Sequence, residues 1–433
     1  MRARWFAVVS AAIITPLAHA QAITQALKVT SPSPGSFDFF GSDVTIEGGR
    51  LLVGAQGDRA AYFYPAPLDG SPPSTVRYLG SALWGFTIGV EDGVIVGAAR
   101  VANGAGGSSS DAIVTFDAST LVPTFELLPD ANSGQTTPAA SLGLDGGLLV
   151  VGNPGEYING NASAGAAYLY DTATGARLHK FVPSGPETNG SFGRSVGISN
   201  GVVAIGSYKE DTAAGVNSGA ILLYDAVSGD LLRTITPDGA AQLYFGDDVA
   251  IDGDIVVGIG HDNTIYTFDV STGQQIASFQ VIEHTNTETV HAMALQGGRL
   301  AVGVGYGDGA VVDSGVVYLF DPTTGEQLFK MYADDGEAGV SFGVHVAMEG
   351  DLVAVGAQQD DDAGTNAGAV YLFDLGPCNA ADLTGGGMLN LDDVNLFAMF
   401  FIAQDPRADV DGNGVLNLDD VNTFAIAFTA GCP

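Results

Sequence analysis

An apolar run closed by glycine recurs seven times along the chain, at Val53-Gly54, Val96-Gly97, Val151-Gly152, Ile205-Gly206, Val257-Gly258, Val302-Gly303 and Val355-Gly356, spaced 43 to 55 positions apart. A period of that length marks a unit that cannot bury its own apolar faces and must stack on copies of itself. Twelve or thirteen residues before five of these runs stands an aromatic-glycine pair: Phe40-Gly41, Trp84-Gly85, Phe192-Gly193, Phe245-Gly246 and Phe342-Gly343. Copies three and six lack it. Downstream comes a second apolar run, such as Gly219-Ala-Ile-Leu-Leu-Tyr224, rich in the β-branched and aromatic types that suit strands.

Turn chemistry follows each second run. Asp171-Thr-Ala-Thr-Gly175, Asp225-Ala-Val-Ser-Gly229, Asp269-Val-Ser-Thr-Gly273 and Asp321-Pro-Thr-Thr-Gly325 read as hairpins, with the aspartate bonding the turn backbone and glycine taking positive φ. A last short strand follows, as in Arg177-Leu-His-Lys-Phe181. Four strands per unit, repeated seven times, predict an all-β, seven-bladed β-propeller over residues 21–375. The seventh unit ends at Asp374 with no room for its fourth strand, whereas residues 26–37 resemble 177–183, the fourth-strand position of unit three. The N-terminal segment is therefore expected to close the ring by pairing into blade seven, removing two exposed sheet edges.

The aromatic-glycine start and loops such as Val355-Gly-Ala-Gln-Gln-Asp-Asp-Asp-Ala-Gly-Thr-Asn-Ala-Gly-Ala-Val-Tyr371 resemble the FG-GAP repeat family, whose relatives include the integrin α-chain propeller. The resemblance implies a binding or adhesion propeller with a ligand site on one face, for a protein or a glycan. The acidic blade loop of integrins is not intact in any unit. Asp360, Asp362 and Asn366 come closest, and these acids read as solvating an inter-strand loop.

Residues 376–433 are different in kind. Two twelve-residue acidic loops lie 27 positions apart, and the second presents Asp409, Asp411, Asn413, Asn417 and Asp420 at loop positions 1, 3, 5, 9 and 12, with Gly414 at position 6 and the Val415 carbonyl at 7. That is an oxygen set for calcium. The first loop keeps Asp382, Asn390 and Asp393 with Gly387, has Thr384 at position 3, and would offer Met388 through its carbonyl, so it is the weaker site. The competing reading of either loop is an acidic, solvated turn that binds no ion. Apolar residues recur at helical spacing after each loop: Val394, Phe397, Ala398, Phe401, then Val421, Phe424, Ala425, Phe428. No helix precedes either loop, and the last ligand is Asp. This combination resembles a type I dockerin, a small α-helical domain with paired EF-hand-type calcium loops, which implies a cohesin-like or cell-surface partner. Loop positions 10 and 11, Leu391-Asp392 and Leu418-Asp419, would then contribute the partner-binding surface. Cys378 and Cys432, the two cysteines of the chain, bracket the module; the resemblance to GC-type dockerins implies that they pair, with two free thiols as the alternative.

The opening Met1-Arg2-Ala3-Arg4, the apolar run from Trp5 to Leu17 and Ala18-His19-Ala20 read as a signal peptide over residues 1–20, so export to the extracellular space or cell surface is expected. The formal net charge is −34, and −36 once Arg2 and Arg4 are removed. A charge of that sign argues against nucleic acid as a partner. No second apolar stretch reaches spanning length.

Catalytic signals are sparse. His179, His261, His284, His291 and His345 show no metal-binding spacing and no nucleophile elbow, and read as scattered. Glu156, Glu210 or Glu283 would have to meet across the top of the ring to act as an acid and base. The segment from Tyr170 to Leu178 is similar to a quinoprotein dehydrogenase blade, but the docking tryptophan is missing at Phe181, Ile235, Phe279 and Phe329. The sequence reading is thus a secreted binding propeller tethered by a calcium-dependent dockerin-like module. A polysaccharide-degrading hydrolase or lyase of a cellulosome-like assembly is the rival, and a quinoprotein dehydrogenase the weaker one.

Overall fold

The structure, a computed structural model, describes residues 21–22, 25–65, 72–77, 81–103, 108–127, 141–237, 243–281, 290–376, 381, 383, 391–410 and 415–430. Seven antiparallel sheets occupy residues 40–76, 81–127, 141–181, 196–235, 249–280, 292–331 and 342–374, each built in chain order from inner to outer strand. The inner strands, from Phe40–Glu47 through Phe342–Glu349, touch one another in succession, and the seventh touches the first. The ring is a closed seven-bladed β-propeller.

Second and third strands are apolar almost throughout because both faces of each blade are covered by neighbouring blades. In blade three, Leu148–Asn153 and Ala166–Asp171 are buried nearly end to end. The core is accordingly a set of inter-blade layers. Val150, Leu169 and Phe181 of blade three pack on Val196, Ile198, Val203 and Leu222 of blade four, and Val370 and Leu372 of blade seven pack on Phe40, Val44 and Tyr62 of blade one. Outer strands alternate less and face water, as in Leu231–Ile235, where only Ile235 is buried.

The repeated Phe-Gly, Gly-Ala and Val-Gly pairs turn out to be three sides of one joint. Phe40, Phe192, Phe245 and Phe342 are completely buried, and each forms a parallel bridge to the glycine opening the third strand of the preceding blade: Gly368, Gly165, Gly219 and Gly315. A Cβ on Gly219, which sits at φ +77°, would stand 2.1 Å from the Phe245 carbonyl oxygen. The second-strand glycine closes the joint from the other side, since a Cβ on Gly206 would lie 2.2 Å from the Gly246 carbonyl oxygen. Backbone meets backbone here, which is why glycine recurs in phase.

Ring closure uses the N-terminal segment. Gln25–Thr30 pairs antiparallel with Ala369–Asp374 as the outer strand of blade seven, while Gln21–Ala22 adds a short parallel strand to blade six. Lys28 fastens the strand: its ammonium contacts Asp335 (2.9 Å), Asp360 (2.9 Å) and Asp362 (2.6 Å) and lies over the Tyr371 ring. Lys180 does the equivalent work in blade three, reaching Glu156 at 2.7 Å beside Tyr168. The acids of the 360–366 loop are therefore not simply solvated, as the sequence suggested. A lysine of the adjacent strand neutralises two of them.

The hairpin turns follow their sequence signature. Asp171, Asp225, Asp269 and Asp321 each accept backbone N–H bonds from residues two or three positions on, and Gly175, Gly229, Gly273 and Gly325 have φ between 69° and 74°. Near the C-terminus, α1 (Leu391–Ala403) and α2 (Leu418–Ala430) pack through Phe397 and Phe424, stacked at 4.2 Å. The buried stripe of α1 runs through Phe397 and Phe400, while Ala398 and its counterpart Ala425 are exposed. Small alanines yield the inward positions to the larger rings. No described helix is long and apolar enough to cross a membrane.

Candidate binding site at the channel mouth

The inner strands enclose a channel, and its two ends differ in chemistry. At the end where these strands finish, side chains of one blade bond the turn backbone of the next. Gly49 N–H donates to Glu349 (2.8 Å), Gly146 to Glu91 (3.3 Å), Gly253 to Ser199 (3.0 Å), Gly297 to Asp252 (2.7 Å) and Gly350 to Gln296 (2.8 Å). These polar groups are occupied as latches between blades. Burial, aided by the nearby carboxylates of Asp145, Asp92 and Glu47, pushes Glu91 up to about 7.

At the other end, where the inner strands begin, a cavity of about 770 Å³ opens among Asp43, Arg194, Asp247, Asp248 and the imidazoles of His261, His291 and His345. Asp43, Ser195, Asp248 and His345 each stand three residues after the aromatic of their blade, so the repeat that builds the joint also delivers a side chain to the mouth. Part of this set is structural. Asp43 Oδ2 accepts the Ile88 N–H of the next blade at 2.8 Å, and Ser195 Oγ accepts the Val249 N–H at 3.0 Å while donating to Asp248 at 2.8 Å. Burial pushes the Asp248 carboxyl up to about 6, against the lowering effect of its bonds from Ser195 and Val249.

The remaining groups form pairs around the cavity. Arg194 Nε meets Asp247 at 2.5 Å, His261 Nε2 lies 3.7 Å from the same carboxylate, and His345 Nδ1 lies 3.5 Å from Asp43. Tyr244 stacks on His261 with ring centroids 4.7 Å apart, and Tyr208 joins them at 6.0 Å. His291 meets Tyr306 edge-on at 5.6 Å. Among the described residues no group of three His, Cys, Asp or Glu side chains is arranged to hold a metal ion. The arrangement presents aromatic faces beside donors and acceptors, which suits a polar ligand.

The histidines were read from the sequence as scattered, yet three of them gather here. For His345 the available signal was the in-phase position three residues after the aromatic; His261 and His291 lie at other positions and carried no such signal. Of the acids named for acid-base work, the two that are described are engaged elsewhere. Glu156 is buried against Lys180 and Tyr168. Glu210 takes a bond from Ser207, and burial raises its carboxyl. Glu283, with His284, lies outside the described residues.

The C-terminal site residues expected from the sequence fall mostly outside the described residues: Cys378, Asp382, Thr384, Met388, Asn390, Asp411, Asn413 and Cys432, and the side chains of Leu391, Asp392 and Asp393. Of the second loop, Asp409, Val415, Asn417 and Asp420 are described. The Asn417 carbonyl oxygen of its side chain accepts the Asp419 N–H at 2.6 Å, and the fully buried Asp420 carboxylate accepts the Asn417 N–H at 2.8 Å. This reciprocal pair caps α2. Leu418 and Asp419 are exposed.

Two segments, residues 177–224 and 326–373, match the FG-GAP repeat family. They cover blade three's outer strand through blade four's third, and blade six's outer strand through blade seven's third. No curated protein matches the chain. Among solved structures, the crystal structure of the mitotic checkpoint complex contains a chain similar to this one at 12% identity, covering 86% of this chain and 98% of that one with a TM-score of 0.55, a likeness of fold alone. The computationally designed Ika8 protein is 15% identical, with 82% and 98% covered and a TM-score of 0.49. The chain carries FG-GAP repeats within a seven-bladed β-propeller.

Proposed function

We propose that this protein is a secreted, non-catalytic binding propeller that takes its ligand at the channel mouth and is tethered through its C-terminal module. The observation that carries the reading is the asymmetry of the two channel ends. One end commits its polar groups to latching blades, around a smaller cavity of about 500 Å³ that reaches Glu47, Glu91 and Gln296, whereas the other holds a cavity of about 770 Å³ edged by imidazoles, carboxylates and stacked rings. Preformed concavity with a few convergent polar groups is what a binding site requires.

The tether would be calcium-dependent. Asp409, Asn417, Asp420 and the Val415 carbonyl would supply oxygen donors from the second loop, as a hard cation prefers, and the first loop would add Asp382, Thr384, Asn390 and Asp393 with the Met388 carbonyl. Leu391-Asp392 and Leu418-Asp419 would face a cohesin-like or cell-surface partner, with Cys378 and Cys432 joined across the module's ends.

The test is retention of the full chain on immobilised proteins and glycans, repeated for Asp247→Asn and His345→Ala. Binding weakened by both variants supports the mouth, and binding indifferent to both places the ligand elsewhere. Cleavage of a bound polysaccharide, abolished by Asp248→Asn, would replace the binding module with a hydrolase or lyase. Calcium-dependent capture of a cohesin from the same genome, lost when Leu391 and Leu418 are both changed to Asp, tests the tether separately.

A further inference from the structure

We propose that the ligand of the mouth is a neutral, linear polysaccharide whose sugar rings lie along an arc of five rings: Tyr208, Tyr244, His261, His291 and Tyr306. The proposal rests on the reading of the mouth as a binding site and adds the chemical class of what it binds.

The arc is a product of the repeat. Tyr208, His261 and Tyr306 follow the second strands of blades four, five and six, which end at Ser207, Ile259 and Val304. Tyr244 and His291 lead into the inner strands of blades five and six, which start at Val249 and Ala292. All five therefore rise at the same end of three successive blades, and His261 and His291 line the cavity itself. Tyr244, His261 and Tyr208 form one contiguous group, with centroids 4.7 to 6.3 Å apart, and His291 and Tyr306 form the next. Three of the rings are presented to solvent, His291, Tyr306 at 46% exposed and the His261 side chain at 50%, while Tyr208 and Tyr244 are half-buried.

A pyranose ring offers two kinds of surface, a C–H face that rests on an aromatic ring and a rim of hydroxyls that both donate and accept hydrogen bonds. The mouth supplies both. Beside the rings stand Asp247 and Arg194, able to accept from and donate to neighbouring hydroxyls.

Charge decides between polymers. With a formal net charge of −34, the chain repels polyanions such as nucleic acid and sulfated or uronate-rich glycans. A cationic ligand would seek the Tyr208 face and the Asp247 carboxylate, but the protein already supplies those cations. Arg194 and Lys209 lie 5.5 and 5.0 Å from the Tyr208 ring centre, and Arg194 pairs with Asp247. What is left unmatched is ring surface and neutral hydrogen bonding, the pair of needs that a neutral sugar chain meets.

The experiment is affinity electrophoresis and calorimetry of the full chain against soluble neutral, anionic and cationic polysaccharides, and against a basic peptide pool. At least one neutral polysaccharide should bind. Tyr306→Ala and His261→Ala should each weaken that binding about tenfold or more with unchanged thermal midpoints, whereas Tyr306→Phe should keep it. Tyr157→Ala removes a 48%-exposed ring from the blade-three loop, outside the arc, and should have no effect. Affinity indifferent to Tyr306→Ala and His261→Ala overturns the arc, and preference for an anionic or cationic polymer, or for the peptides, overturns the assignment of a neutral sugar. Failure of every polysaccharide alongside retention of a protein in the preceding screen would leave a binding propeller whose ligand is not a glycan.

Discussion

Replacing Gly206 by alanine tests the physical reason for the repeat. Gly206 lies in the second strand of blade four with no need for positive φ, so the substitution carries no conformational penalty of its own. Its new methyl would stand 2.2 Å from the Gly246 carbonyl oxygen, roughly 1 Å inside ordinary contact, and 3.1 Å from a methyl of Val249. Neither neighbour yields cheaply, because Gly246 is held by its N–H bond to the Ile259 carbonyl and lies beside the completely buried Phe245. Overpacking typically costs 1–3 kcal/mol, and a clash between two anchored backbones should reach about 3 kcal/mol or more, less about 0.5 kcal/mol gained by stiffening the unfolded chain. Gly201→Ala is the control. That glycine sits at φ +74° with nothing within 4 Å, so alanine there costs only the left-handed conformation, about 1 kcal/mol. Urea unfolding of the full-length variants, followed by tryptophan and tyrosine fluorescence, should therefore show Gly206→Ala losing two to three times as much stability as Gly201→Ala. Equal losses, or a larger loss at Gly201, would refute the claim that backbone contact across blades fixes the repeat's glycines.

Lys28→Met should open the N-terminal clasp: it leaves the buried Asp360 without its ammonium, and since Asp335 and Asp362 are exposed the cost should be on the order of 2–3 kcal/mol, below that of a fully buried pair. Proteolysis of residues 21–30 should speed up in that variant, and an unchanged rate would argue that strand pairing alone closes the ring. Asp248→Asn probes the half-buried acid of the mouth. Because burial holds the folded carboxyl near 6, above its unfolded value, ionisation destabilises the native state above pH 6, and this contribution fades as pH falls to about 4. The variant should melt higher than the parent at pH 8 and equally at pH 4, with an equal gain at both values counting against the reasoning. Calcium should raise the helix content of the C-terminal module by circular dichroism, and Asp409→Ala should remove the tighter binding event in calorimetry. Two equal sites would contradict the unequal ligand sets.

Seven in-phase copies of a short motif were enough to fix strand number, blade number and turn chemistry, because each of those is a local property. The Asp-to-Gly hairpins form within five residues, and an apolar run covered on both faces needs no knowledge of which blade covers it. The joint was visible as a pattern but not as a mechanism: Phe245, Gly219 and Gly206 are up to 39 positions apart, and only the stacked blades bring their backbones together. The clasp was half legible, since residues 26–37 could be matched to 177–183, yet the role of Lys28 depends on Asp335 and Asp360, more than 300 positions away.

The mouth was the least legible part. Asp43, Asp248, His261 and His345 are unremarkable one by one, and a linear chain contains no statement that blades one, five and seven end at one opening. The sequence by itself determined the repeat, the class of fold and the acidic character, since these follow from residue type at short spacing. Only the tertiary structure decided which of 49 acids stand together, which are neutralised by lysine and which face a cavity, because burial and pairing arise from ring closure and from contacts between blades that no local spacing encodes.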